Sequence, residues 1–487
     1  MENPVKSSLI ASPGGYVDGR WIRGGRQTFD VTNPATGDLL ASLPAMGARQ
    51  TNVAISAAAR AMNRPAAPVE VRQEWLRGIV AALREHREDL ARIITLEQGK
   101  PLEEARTEVD YGAGFFAYFA EHLSLLAPRP LEQEIRGCRW TVHHRPLGVA
   151  GLIVPWNFPL AMLAKKLAAA LASGCAVVVK PAELTPLTSV ALWRLLERLD
   201  LPRGQANLLT GPPAAIGRAL CRSHDVRMLS FTGSTAVGQL LARQSSGTVK
   251  RLALELGGNA PFLVFDDAEV EAAADALIAS KFRCVGQTCV SVNRVFAQHG
   301  IHDAFRDAVA ERVRGLKMGD GMDPETRIGP LINREGFRKV SRHVRDALDR
   351  GARLVTGGVP SEPEQDWGFF FPPSVLEGVS PEMLAFREET FGPVVSIGRF
   401  ADEAGAVTAA NGTPYGLAAY VFTADAGRAE RLAASLSFGH VAVNSGTGPI
   451  PEAPFGGYKQ SGYGREGGAE GLLEYCEVQT VARRAGL

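Results

Sequence analysis

Cysteine is scarce in this 487-residue sequence, and it is never paired: the six stand at 138, 175, 221, 284, 289 and 476, with no CxxC among them. That spacing excludes the usual zinc sites and disulfide frameworks and fits a reducing compartment, so a cytoplasmic location is expected. Long apolar runs are missing too. No stretch approaches the roughly 18 residues of a spanning helix. The N-terminal MENPVKSSLIASPGGYVDG lacks the apolar core of a signal peptide. Charge of one sign is also absent: 53 Lys and Arg face 52 Asp and Glu, a net charge of +1 with no long run of either. Neither a nucleic-acid nor a membrane partner is therefore expected. The phosphate-loop pattern GxxxxGK[ST] does not occur. GxGxxG occurs once, as GYGREG at 462–467, but it follows GGYKQS, which is no strand, and no acidic residue follows at the required distance. That match is rejected as a dinucleotide fingerprint. No metal site is expected either, because His143 and His144 are adjacent and face opposite sides of any strand.

What is present is a well-ordered alternation. The length calls for two or three domains, and a chain 45% hydrophobic and 22% charged reads as globular. Between 147 and 245, the apolar runs LGVAGLIV, CAVVVK, ANLLTG and VRMLSFTG alternate with helical stretches and are bounded by Gly or Pro. This pattern predicts βαβ units and a parallel sheet covered on both faces. Residues 185–199 are expected to form a helix with a Thr cap and Pro in its first turn. Residues 50–125 are mostly helical. From about 258 the alternation restarts as a second α/β unit, and 138–148 reads as a hairpin arm outside both. The fold class is α/β.

Several short stretches suit chemistry. In SFTGSTAVG a strand ends at Thr232, Gly233 permits a close turn, and Ser234 can cap a helix whose N-terminus suits a pyrophosphate. A plain strand–turn–helix fits equally well. Lys180 and Glu183 of VVVKPAE lie at the end of a parallel strand, where ligands bind in open α/β sheets. Glu255 stands in the apolar run LALELGG, which suits a general base with a raised pKa. A surface glutamate is the alternative. Asn157 of VPWNFPL could donate to an oxyanion or simply cap a helix. Cys289 of GQTCVS, taken alone, reads as a small buried hydrophobe.

Taken together, PWNFPLAMLAKK, VVVKPAE, FTGSTAVG, LELGGNAPF, GQTCVS, EETFGPV and PFGGYKQSGYGRE resemble the NAD(P)-dependent aldehyde dehydrogenase superfamily over nearly the whole chain. SKFRCVGQTCV and GCAVVVKPAELTP are most similar to its succinate-semialdehyde dehydrogenase branch. The resemblance implies a Rossmann-like cofactor domain (1–125 and 147–257) and a catalytic domain (258–470). It also implies a small β oligomerisation arm (126–146 and 471–487), and hence a homodimer or homotetramer. It implies NAD as cofactor, with NADP possible, and a small aldehyde as substrate. Cys289 would be the nucleophile, Asn157 an oxyanion donor and Glu255 the base for deacylation, with Lys166 and Glu466 relaying its proton. Trp156, Lys180, Glu183, Gly233 and Ser234 would hold the adenosine half of the cofactor, and Glu389 and Phe391 the nicotinamide ribose. Phe455 would wall the aldehyde site. Arg283 and Lys165 would line the tunnel as two cations suited to an acidic semialdehyde. The pattern has departures: Ser291 replaces a second cysteine, Lys165 an arginine, and Pro449 a substrate-binding serine. Alternatives are a dehydrogenase of neutral aliphatic or aromatic aldehydes, a coenzyme-A-acylating relative, which typically lacks the base, and a catalytically silent relative.

Overall fold

Five short strands, almost wholly buried, run parallel through the first sheet: Ala206–Leu208, Ala176–Lys180, Val149–Ile153, Val226–Thr232 and Arg251–Glu255, in that spatial order. Burial on both faces explains why they read as continuous apolar runs rather than alternating ones. Val177, Val178 and Val179 are fully buried, each worth roughly 1.5–3 kcal/mol relative to exposure. The computed structural model describes residues 7–23 and 27–484. Antiparallel strands extend the sheet at its ends. Gly15–Val17 and Arg20–Ile22 add to one edge and Gly462–Tyr463 to the other. The last of these lies within GYGREG, pairing Gly462 with Glu255, so that glycine pattern forms an edge strand and turn.

The second sheet has six parallel strands in the order Ser374–Glu377, Val394–Phe400, Val292–Gln298, Ala260–Val264, Ala418–Phe422 and His440–Val443. Arg353–Thr356 is its antiparallel edge. Four helices, Ala48–Met62, Val69–Glu85, Arg87–Gln98 and Leu102–Glu121, occupy the expected helical region. The helix Ala161–Ser173 is buried on nearly every side, as an all-round apolar sequence requires. It carries Lys165 and Lys166 inside the molecule.

One local expectation is corrected. Residues 185–199 do form a helix, Leu187–Leu196, but Thr185 does not cap it. Glu97 reaches across from another helix and accepts from the N–H groups of Leu187 (2.7 Å) and Thr188 (2.9 Å). Burial pushes the Glu97 carboxyl up to about 8 against these bonds. The Thr185 hydroxyl donates instead to the Trp156 carbonyl. The expected arm is a three-stranded sheet in which Cys138–Pro146 pairs with Arg129–Pro130 and, along its whole length, with Cys476–Arg484. Residues 485–487 of the expected arm, and the first six residues, lie outside the described residues. No helix among the described residues is long and apolar enough to cross a membrane.

Candidate active site

The loop before Cys289 is bent by an unusual turn. After the helix Val270–Phe282, three residues in succession have positive φ: Cys284 at 52°, Val285 at 59° and Gly286 at 72°. A β-branched residue there is strained, at a cost of roughly 1–3 kcal/mol. Neighbouring helices hold the turn in place. The Cys284 N–H donates to Glu104 (2.7 Å), the Gln98 amide to Cys284 Sγ (3.2 Å), and the Cys284 thiol to the Asn157 carbonyl (3.4 Å). Gln287 donates to the Cys284 carbonyl and accepts from the Ile332 N–H. Gly286 cannot be replaced, since a Cβ would collide with the Gly392 carbonyl. Beyond the turn, Tyr420 donates to the Val290 carbonyl at 2.9 Å, and Ser291 to that of Lys281. Cys289, between these anchors, is only half-buried. Burial pushes its thiol up to about 12; Lys165 pulls the other way, while Glu389 and Glu255 add to the rise.

Asn157 ties this loop to the first sheet. Its Nδ2 donates to the Gln287 carbonyl at 2.8 Å, and its Oδ1 accepts from the Phe158 N–H. An amide nitrogen has two donors, so one N–H remains. Asn157 is not the cap of the following helix. Glu108 takes that role, with Oε1 accepting from the N–H groups of Leu160 and Ala161.

Glu255 ends its strand with its backbone carbonyl accepting from Gly233. The residue is 3% exposed, and neither carboxylate oxygen has a hydrogen-bond partner. Burial, then the charge of Glu466, raises its pKa well above the usual carboxylate range. Behind it Glu466 bridges two lysines, pairing with Lys165 at 2.6 Å and with Lys166. Lys166 also donates to Ser230. Burial works against the Lys165 ammonium, but Glu466, Tyr111 and Glu255 outweigh it and hold its pKa up. Burial prevails at Lys166, whose pKa falls. Glu466 stays ionised because the two lysines overcome its desolvation. This corrects one expectation: Lys165 is 4% exposed and has its own carboxylate, so it is not a free tunnel cation. Its ammonium lies 5.2 Å from the centre of the Phe455 ring. Arg283 is exposed, stands 5.3 Å from the Phe158 ring and makes no ion pair among the described residues.

A cleft of about 830 Å3 opens between the two sheets, lined by Trp156, Asn157, Thr232, Gly233, Ser234, Cys289, Glu389 and Phe391. Ser234 caps the helix Thr235–Ser245 by accepting from the Val237 N–H. Trp156 and Phe391 meet edge to face at 5.7 Å, and Phe391 is held at a positive φ of 57°. Glu389 accepts from the Gly258 N–H at 2.9 Å, and burial pushes it up to about 6. Lys180 and Glu183 pair with each other at 2.6 Å at the end of their strand and do not line this cavity. The residues fit a nicotinamide dinucleotide. The Thr232 hydroxyl is buried without a partner, a helix N-terminus opens into the cleft, and the aromatic pair and Glu389 flank the nucleophile.

Sequence reasoning missed the opposite wall of the cleft. The helix Arg334–Asp349 turns Phe337, Val340 and Val344 inward and lays Arg334, Arg338, Lys339 and Arg342 along the cleft. The three arginines pair with Glu362, Asp366 and Glu388, while Lys339 makes no ion pair among the described residues. Such a charged stripe resembles any solvated helix face in sequence, and only the apolar period could have signalled its orientation. Lys100 and Glu108 were missed as well. They form a fully buried pair at 2.6 Å, and Lys100 also donates to the Asn157 carbonyl at 2.7 Å.

Comparison with known proteins identifies the family. The chain is 45% identical over 464 residues to a protein of Sinorhizobium fredii called probable succinate-semialdehyde dehydrogenase (NADP+), covering 94% of this chain and 93% of that one. It is 43% identical over 479 residues to a 3-sulfolactaldehyde dehydrogenase of Pseudomonas putida, covering 98% of each. The crystal structure of an oxidoreductase from Marinobacter aquaeolei superposes with a TM-score of 0.96 at 54% identity, over 98% of this chain and 99% of that one. The model of the aldehyde dehydrogenase family matches residues 21–481, and the chain belongs to that family.

Proposed function

We propose that this aldehyde dehydrogenase oxidises an aldehyde whose far end carries an anion, with succinate semialdehyde as its representative. The observation that carries the reading is Arg283. It lies six residues before Cys289, is exposed and lacks an acidic partner among the described residues. Its positive charge acts on Cys289. The relatives called succinate-semialdehyde and 3-sulfolactaldehyde dehydrogenases act on aldehydes that both end in an anion.

Cys289, once ionised, adds to the carbonyl carbon and forms a thiohemiacetal. The remaining Asn157 N–H and the Cys289 backbone N–H hold the developing oxyanion, each such donor being worth about 3 kcal/mol. NAD(P), when bound in the cleft, supplies the hydride acceptor that turns the thiohemiacetal into a thioester. Glu255 then takes a proton from water, which cleaves the thioester and frees the acid. Its lack of partners leaves both oxygens available, and its raised pKa makes it a stronger base than an ordinary carboxylate. Lys165 and Lys166 keep positive charge close to it, while the Glu466 carboxylate holds both lysines and opposes the negative charge of Glu255. The base also argues for water rather than coenzyme A as acceptor.

Comparing kcat/KM for succinate semialdehyde and butyraldehyde tests the substrate. The acid should be preferred roughly tenfold to a hundredfold, the range of a charge-assisted pair, and Arg283→Ala should erase the preference. A neutral aldehyde that matches the acid would overturn the reading. For the cofactor, Glu183 favours NAD, because a 2′-phosphate would stand against its carboxylate. Glu183→Ser should shift the kcat/KM ratio towards NADP. A wild-type ratio already favouring NADP would refute this.

A further inference from the structure

Tyr111, on the helix Leu102–Glu121, has a hydroxyl that neither the fold nor the chemistry above uses. Its oxygen is buried and has no hydrogen-bond partner. Its ring is firmly seated, edge to face on Phe115 at 5.0 Å and against the cluster of Phe158, Ala161 and Cys284. The hydroxyl is therefore aimed by packing rather than by a polar contact. The Phe158 ring against which it packs also carries the Arg283 guanidinium, 5.3 Å from the ring centre, and the charges of Lys165, Arg283 and Glu466 all act on the hydroxyl. Native structures rarely leave a buried hydroxyl orphaned, and such a group needs an explanation.

The charges around it make that explanation specific. Glu466 neutralises Lys165, which leaves Arg283 as a cation near Cys289 without an acidic partner among the described residues. A carboxylate or sulfonate has further oxygens that one guanidinium does not satisfy. A tyrosine O–H is a neutral donor, adds no like charge to the tunnel, and forms short bonds to anionic oxygen. We propose that the Tyr111 hydroxyl is a specificity-determining group, donating to the anionic end of the aldehyde alongside Arg283. The inference rests on the acidic-aldehyde reading and names a second residue that enforces it.

Tyr111→Phe removes the hydroxyl alone and keeps the ring packing. The experiment measures kcat and KM of both enzymes on succinate semialdehyde and butyraldehyde, with the binding of NAD as a control. KM for succinate semialdehyde should rise about tenfold, as expected for a lost hydrogen bond to a charged group. Its kcat should stay within about twofold, and butyraldehyde and NAD binding should be unchanged. Equal losses on both aldehydes would place the hydroxyl at the reacting carbon and overturn the proposal, as would an unchanged ratio. The two readings fail separately. If the wild type prefers the acid and Tyr111→Phe does not alter the preference, only the role of Tyr111 falls. If the wild type shows no preference, the acidic-aldehyde reading falls and takes this inference with it.

Discussion

Cys284 and Cys289 stand five residues apart, and burial pushes both thiols up to about 12. Their difference is access and aim. Cys284 is fully buried and bonded to Gln98 and to the Asn157 carbonyl, so its sulfur anchors a strained turn. Cys289 is half-buried and faces the cleft. Alkylation by iodoacetamide should therefore modify Cys289 and spare Cys284. The thiolate is the reactive form, and below its pKa its fraction rises tenfold per pH unit. The rate should climb without levelling between pH 7 and about 10; a plateau below pH 9 would show a much lower pKa. Glu255 makes a second residue-scale test. Glu255→Gln should give a burst of NADH near one equivalent per site followed by slow turnover, because it removes the base for deacylation while leaving Cys289. A variant that loses the burst as well would show Glu255 to be needed for the thiol. Trp156, Asn157, Gly233, Ser234, Cys289, Glu389 and Phe391, which line the cleft, lie in contiguous motifs and so could be picked out from the sequence. Tyr111 could not, because one tyrosine on an amphipathic helix carries no mark that its hydroxyl is orphaned.

At the scale of elements, the segment bearing Asn157 is held from behind. Glu108 accepts from the first amides of the Ala161–Ser173 helix with one oxygen and pairs with Lys100 through the other. Lys100 donates to the Asn157 carbonyl and lies 3.7 Å from the centre of the Phe158 ring. Both charges are fully buried, and removing one partner from such a pair costs about 3–5 kcal/mol. Lys100→Met and Glu108→Gln should each lower stability by that order in denaturant titration. The double variant removes both charges and keeps an acceptor for the helix amides, so its loss should be well below the sum. Additive losses would mean that the pair is not coupled. These elements also mark where sequence reading ended. Buried parallel strands announce themselves as apolar runs closed by Gly or Pro, and all of them in 147–245 lie where expected. The Thr185 cap failed because the acceptor came from Glu97, 90 residues away, and local spacing carries no record of tertiary partners. Lys165 misled for the same reason, since Glu466 lies 301 residues beyond it, which is 466 minus 165.

For the whole molecule, the arm is the part with least reason to exist in a lone chain. Its strand Cys476–Arg484 forms one edge of a three-stranded sheet, paired on one side only among the described residues. Most of its residues are exposed, including Val478 at 65%. A long free edge with an exposed apolar residue is a template for pairing with another chain and is normally covered or blunted. We therefore expect the arm to be covered by a second copy. Size-exclusion chromatography with light scattering should give a dimer or tetramer at micromolar concentration. Val478→Asp places a charge on the edge without touching the cleft, so it should shift the population towards smaller species and leave NAD binding intact. A wild-type chain that runs as a monomer would remove the role of the arm. An unchanged oligomer in the variant would place the contact elsewhere. Because Cys476–Arg484 follows directly on the segment that carries Glu466, weaker assembly should also loosen the Glu466–lysine cluster. The dissociated variant should then deacylate more slowly at low protein concentration and recover as concentration rises. A rate per site that does not change with concentration would show that each subunit completes its own site.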